Sequence, residues 1–185
     1  MADSIGNSLD RALEGAFTRP APKSAQAQMK YLVKQLKGTR AAAQALGISQ
    51  RTVERYVKGQ LKRPRQDLRG RMAGEVKKRW QPQIKAKARK KAASTGGIVV
   101  NTRARFGFTA APGTTDDARI RDITQALPPE FADKLFTARE QGANEQQLQQ
   151  IAADGLAQMY FRNNNTRASG LGVEFTDVEH IRIDL

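Results

Sequence analysis

The chain has 185 residues and carries 32 Lys and Arg against 18 Asp and Glu, a formal net charge of +14 with its one His neutral. It has no cysteine, which excludes disulfides, thiolate zinc sites and a cysteine nucleophile, and the lone His180 excludes any site that needs two imidazoles. Residues 1–110 hold 25 basic and 6 acidic side chains and residues 111–185 hold 7 and 12, an asymmetry that predicts one module for a polyanion and an acidic one with another task.

In chain order, Ile5, Leu9, Leu13 and Phe17 recur every four residues and predict a short amphipathic helix. Met1 to Gly15 has acids and no apolar stretch of the secretory kind, so a cytoplasmic location is expected, and the basic excess makes it nucleoid-associated. Pro20 and Pro22 interrupt the helical pattern. Ser24 can cap a second helix bearing Met29, Leu32, Val33 and Leu36, which ends at Gly38. Two short helices follow across Thr39–Lys58, then a loop from Gly59 to Pro64. Leu68, Met72, Val76 and Trp80 define a further helix, and the alanine-rich stretch Gln83–Ser94 continues as helix without an apolar face of its own.

After Gly96-Gly97 the period falls to two. Ile98, Val100, Ala104, Phe106 and Phe108 alternate with polar positions and predict a half-buried strand, whose longest aliphatic run, Ile98-Val99-Val100, is far below the ~20 residues of a membrane span. The segment 111–117, Ala-Pro-Gly-Thr-Thr-Asp-Asp, is turn chemistry, and Arg119–Leu127 reads as a weaker strand returning to form a hairpin. Pro128-Pro129 opens a helix with Phe131, Leu135 and Phe136, closed at Gly142. Asn144 and Gln147 form a capping box for a last helix, and the tail alternates again at Val173, Phe175, Ile181, Ile183 and Leu185. The expected architecture is α+β. A basic helical domain, 1–95, precedes a mixed strand and helix domain, 96–185.

The most specific local pattern is Thr39–Tyr56, at the heart of a predicted helix-turn-helix over 39–58. Ala43 is small where two helices must cross, Gly47 tolerates the left-handed turn, and Leu46, Ile48, Val53 and Tyr56 anchor the pair. Ser49 can cap the second helix, which then offers Gln50, Arg51, Thr52, Arg55 and Lys58 to base edges or phosphates in a major groove. A second signal is the run 77–91, where Lys77, Lys78, Arg79, Lys85, Lys87, Arg89, Lys90 and Lys91 occur with no acid between them. Like charges on one helix repel, so phosphates are their expected counter-ions. Phe106 and Phe108 have the spacing of an RNA-stacking strand, but plain alternation explains them. His180 is expected on a strand surface and Asp116-Asp117 as caps after a turn. No enzymatic constellation is present, and the hydroxyls of Thr114 and Thr115 are not singled out by composition.

Six stretches belong together: Thr39–Val57, the segment 79–82 (Arg-Trp-Gln-Pro), the segment 96–100 (Gly-Gly-Ile-Val-Val), the block Thr102–Arg119, the segment 126–129 (Ala-Leu-Pro-Pro) and the segment 173–177 (Val-Glu-Phe-Thr-Asp). With them the chain resembles the telomere-capping terminal proteins, the Tpg type, of linear actinobacterial chromosomes and plasmids. The resemblance implies a protein primer and not an enzyme. A threonine in the Pro-Gly-Thr-Thr turn accepts the first deoxynucleotide, and the protein stays covalently attached to the 5′ end. On this sequence the acceptor is Thr114, with Thr115 as its neighbouring alternative. The implied partners are telomeric DNA with its single-stranded overhang, a telomere-associated recruiting protein, and a DNA polymerase. The chain itself needs no cofactor, since the divalent metal belongs to the polymerase. The competing reading is a helix-turn-helix transcription regulator whose C-terminal domain dimerises. A nuclease or recombinase is disfavoured by the missing acid and His clusters.

Overall fold

A computed structural model describes residues 4–109, 119–162, 164 and 171–185. In chain order the elements are α1 (Ile5–Gly15), α2 (Ala25–Gln35), α3 (Thr39–Leu46), α4 (Gln50–Val57), α5 (Gln66–Arg79), α6 (Pro82–Lys91), β1 (Ile98–Thr109), β2 (Arg119–Leu127), α7 (Pro129–Glu140), α8 (Glu145–Leu156) and β3 (Gly172–Asp184). The class is α+β, with helices first and strands later. No helix among the described residues is long and apolar enough to cross a membrane.

Two compact units result. One joins Met1–Ala16 to Gln83–Leu185 and the other is Phe17–Pro82. This departs from a division at 95/96, because helix periodicity shows that α1 has an apolar face but not which core receives it. Ile5 and Leu9 are fully buried in the sheet-containing core. Ser8 Oγ donates to the Ile181 carbonyl at 2.8 Å, and the Glu145 carboxylate accepts from the backbone amides of Ile5 and Gly6 at the start of α1. A carboxylate there answers both the unpaired amides and the positive end of the helix dipole. Arg139 and Asp10 add an ion pair at 3.2 Å.

In the sheet-containing unit β1 lies between β2 and β3, antiparallel to both. Ile98, Val100, Ala104 and Phe106 point into the core, while Val99, Asn101, Arg103 and Arg105 face solvent. Thr102 shares the inner face, and its Oγ1 donates to the His180 carbonyl at 2.8 Å, so its buried hydroxyl is satisfied. The register of β1 with β3 shifts between Arg103 and Ala104 and again between Arg105 and Phe106. Each shift leaves one extra residue on β3, first Glu179 and then Thr176. The two bulges return Val173, Phe175, Val178, Ile181 and Ile183 to the core side despite their uneven spacing. Helices α7 and α8 contribute Phe131, Leu135, Phe136, Leu148, Ala152 and Leu156 to this core. The Asn144–Gln147 capping box forms as expected, with both bonds at 2.9 Å.

The unit Phe17–Pro82 is helical. Its core is Met29, Leu32, Ala42, Ala43, Leu46, Val53, Tyr56, Leu68, Met72 and Val76, which are the periodic apolar positions of α2 to α5. Ser24 caps α2 by accepting from the Ala27 amide at 3.2 Å. Trp80 closes the far end. Its Nε1 donates to the Arg19 carbonyl at 3.3 Å, the Arg19 guanidinium lies 5.3 Å from its ring centroid, and Tyr31 packs edge-on at 5.0 Å. Gln81 Nε2 also donates to the Arg19 carbonyl, at 3.0 Å. The chain therefore enters and leaves this unit through segments bonded to each other.

Candidate nucleic-acid interface

Helices α3 and α4 form the expected helix-turn-helix. Gly47 has φ 59° and ψ 41°, a left-handed conformation that a side chain would strain. Its amide and that of Ile48 donate to the carbonyls of Gln44 and Ala43, ending α3. Ser49 is extended, and its Oγ accepts from the Thr52 amide at 3.2 Å to start α4. Ala43, Leu46, Val53 and Tyr56 are buried, and Ile48 packs against them. These residues fix the crossing of the two helices and leave one face of α4 outward.

The proposed reading residues on that face divide into two kinds. Gln50 Nε2 is bonded to Thr39 Oγ1 at 3.0 Å and Glu54 Oε1 at 3.1 Å, and the Thr52 hydroxyl lies 2.8 Å from Ser49 Oγ. Both are engaged in holding the motif together. Arg51, Arg55 and Lys58 are exposed and make no ion pair with another described residue. Arg51→Ala and Arg55→Ala are each expected to weaken duplex binding by ~1–3 kcal/mol while the helical unit melts unchanged, since neither side chain contributes to the core. Titration against double- and single-stranded DNA checks this. Unaltered affinity in both variants removes α4 from the binding surface.

The basic run 77–91 is divided between the two units. Lys77, Lys78 and Arg79 end α5, whereas Lys85, Lys87, Arg89, Lys90 and Lys91 lie on α6. Not all of its cations await phosphates. Lys78 and Arg79 share Glu75, and the hydrogen bond from Lys78, with Arg79 beside it, holds that carboxyl below the ordinary carboxylate range. Arg89 is paired with Glu140 on α7 and donates to Thr137 Oγ1 at 3.1 Å, which makes it a tertiary contact within its own unit. Glu140 is distant from Arg89 in sequence, whereas Glu75 stands two residues before the run, one helical turn from Lys78 and Arg79. Lys87, Lys90 and Lys91 are exposed and make no ion pair with another described residue. Replacing these three by Gln is expected to flatten the log–log salt dependence of DNA binding by ~2–3. An unchanged slope would show that α6 does not meet the backbone.

Division by structure also redistributes the charge. Phe17–Pro82 holds 17 basic and 3 acidic residues, net +14, whereas the other unit holds 15 of each and is neutral overall. The whole excess thus belongs to the helix-turn-helix unit. The second module, expected to be acidic, balances once α6 is counted with it.

Phe106 is fully buried between Phe161 and Phe175, with ring centroids at 5.4 and 5.0 Å, so it has no face free to stack on a base. His180 is exposed on β3, opposite Arg103, as a strand-surface residue should be. Arg103 joins Asp122 of β2 at 2.8 Å to Glu179 of β3 at 2.7 Å across the outer face of the sheet. No cluster of His and acids able to hold a metal occurs among the described residues. The turn 111–117, with Thr114, Thr115 and Asp116-Asp117, lies outside the described residues. It connects β1 to β2, whose last paired residues are Phe106 and Arg119. No protein-family model, curated protein or solved structure matches the chain.

Proposed function

We propose that the chain is a telomere terminal protein that caps the 5′ ends of a linear replicon and primes its end-patching DNA synthesis. The Thr114 hydroxyl, with Thr115 as the alternative, attacks the α-phosphorus of a deoxynucleoside triphosphate. A phosphodiester bond forms, pyrophosphate leaves, and the hydroxyl proton passes to solvent. The new 3′-OH then serves as the primer end. Threonine is a weak nucleophile at neutral pH, so the reaction needs a base or metal. A DNA polymerase supplies that with its two-metal site, which activates whichever hydroxyl occupies the primer position. The chain has only to present the hydroxyl and hold the template.

The observation that supports this reading is the separation of charge from the acceptor segment. A helix-turn-helix unit of net +14 can hold the DNA backbone, while a neutral unit bears the hairpin connection with Thr114 and can meet the polymerase and a telomere-bound recruiting protein. Association with the nucleoid follows from such a role. The test is recovery of the protein from native extracts of cells that make it. It should remain bound to terminal DNA fragments through detergent and heat and be released by nuclease. Complete dissociation in detergent is the behaviour of a transcription regulator and would refute covalent capping.

A further inference from the structure

We infer that the segment Leu61–Arg65, which follows α4, is a minor-groove arm that favours tracts lacking the guanine amino group. The inference rests on the reading of α3 and α4 as a DNA-binding helix-turn-helix. At its start the chain is fixed. Gly59 takes φ 76°, its amide donates to the Tyr56 carbonyl, and the Gln60 amide reaches back to the Arg55 carbonyl at 2.9 Å, which closes α4. Gln26 Nε2 caps the Val57 carbonyl at 3.0 Å, and Leu61 packs on the helical core. At its end the Arg65 carbonyl accepts from the Arg69 amide at 2.8 Å in the first turn of α5. Between these anchors Leu61–Arg65 has no helical or strand structure, and Pro64 keeps Arg63 out of the helical region.

Lys62, Arg63 and Arg65 are exposed, and none makes an ion pair with another described residue. The nearest acid in sequence, Asp67, is already bonded to Arg71 at 3.2 Å. Three cations within four residues on a slim, anchored chain have the shape and charge for a groove ~6 Å wide. With α4 in the major groove, the residues after its C-terminus lie next to a phosphate strand. Each extended residue spans ~3.3 Å, so three or four can cross that strand into the neighbouring minor groove. Narrow minor grooves concentrate negative potential and attract arginine, whose guanidinium is less strongly hydrated than an ammonium group. The guanine amino group projects into the same groove and obstructs such an arm.

The experiment measures binding of the full chain to three duplexes of one length: an A·T tract, a G·C tract, and the G·C tract with inosine in place of guanine. Inosine removes the minor-groove amino group and leaves the major-groove edge unchanged. Wild type is expected to prefer the inosine duplex to the G·C duplex by about 5- to 10-fold. Arg63→Lys with Arg65→Lys should lose most of that preference yet keep the salt dependence. Arg51→Ala with Arg55→Ala should weaken binding to all three duplexes and keep the preference. Binding without an inosine preference, or a preference that survives in the arm variant, overturns the arm alone. Failure to bind any of the three overturns it together with the helix-turn-helix reading.

Discussion

Gly97→Ala is expected to destabilise the sheet-containing unit by at least ~3 kcal/mol and lower its melting temperature by roughly 10 °C or more. Gly97 has φ 66° and ψ −157°, a region essentially reserved for glycine, and it is the residue that turns the chain into β1. A Cβ there would lie 2.2 Å from the carbonyl oxygen of Leu127 at the end of β2. That oxygen belongs to backbone, so no rotamer change relieves the clash, and β1 and β2 would have to separate at their paired ends. Gly96 is the internal control. A Cβ at Gly96 would meet nothing nearer than the Lys91 carbonyl oxygen, at 3.5 Å. Gly96→Ala should therefore stay within ~1 kcal/mol of wild type. Equal melting of the two variants, followed by calorimetry or circular dichroism, would mean that the hairpin does not need this close approach.

The contrast between the two glycines illustrates what the sequence discloses. Periodicity marks α1, α2, α5 and the strand β1, since 3.6-residue and two-residue patterns depend only on neighbours along the chain, whereas α6 has no buried face and is marked only by its alanine-rich composition. Caps were legible for the same reason: Ser24, Ser49 and Asn144 act within three residues of themselves. Partners distant in sequence were not. Nothing local assigns α1 to the sheet, Glu145 to the amides of Ile5 and Gly6, or Glu140 to Arg89. The alternation of the tail breaks between Phe175 and Ile181 because the bulges of β3 at Thr176 and Glu179 interrupt the two-residue period. The inward position of Val178 emerges only from its pairing with Ala104. Among the reading residues, sequence indicated which side of α4 is polar. It did not show that Gln50 and Thr52 are spent within the motif, nor that the three cations of the loop after it make no ion pair with another described residue.

Thr114→Ala should abolish transfer of a nucleotide from its triphosphate to the protein while DNA binding stays at the wild-type level. A methyl group cannot attack phosphorus, and the helix-turn-helix proposed to hold the DNA lies in the other unit. Thr114→Ser should retain part of the activity, because the primary hydroxyl can still reach the polymerase metals with somewhat poorer positioning. Thr115→Ala should accept the nucleotide nearly as well as wild type. Comparison of all three by circular dichroism separates loss of the acceptor from loss of the fold. Wild-type labelling of Thr114→Ala, with none in Thr115→Ala, would transfer the role to the neighbouring residue.

The priming role itself is tested most directly by incubating the wild-type chain with a DNA polymerase, a telomere-bound recruiting protein, telomeric template and each single deoxynucleoside triphosphate in turn, then mapping the product by mass. One nucleoside monophosphate is expected on the peptide that contains Thr114, formed with one of the four nucleotides and dependent on the polymerase and its metal. An unmodified protein under conditions in which the polymerase extends an ordinary primer would contradict it.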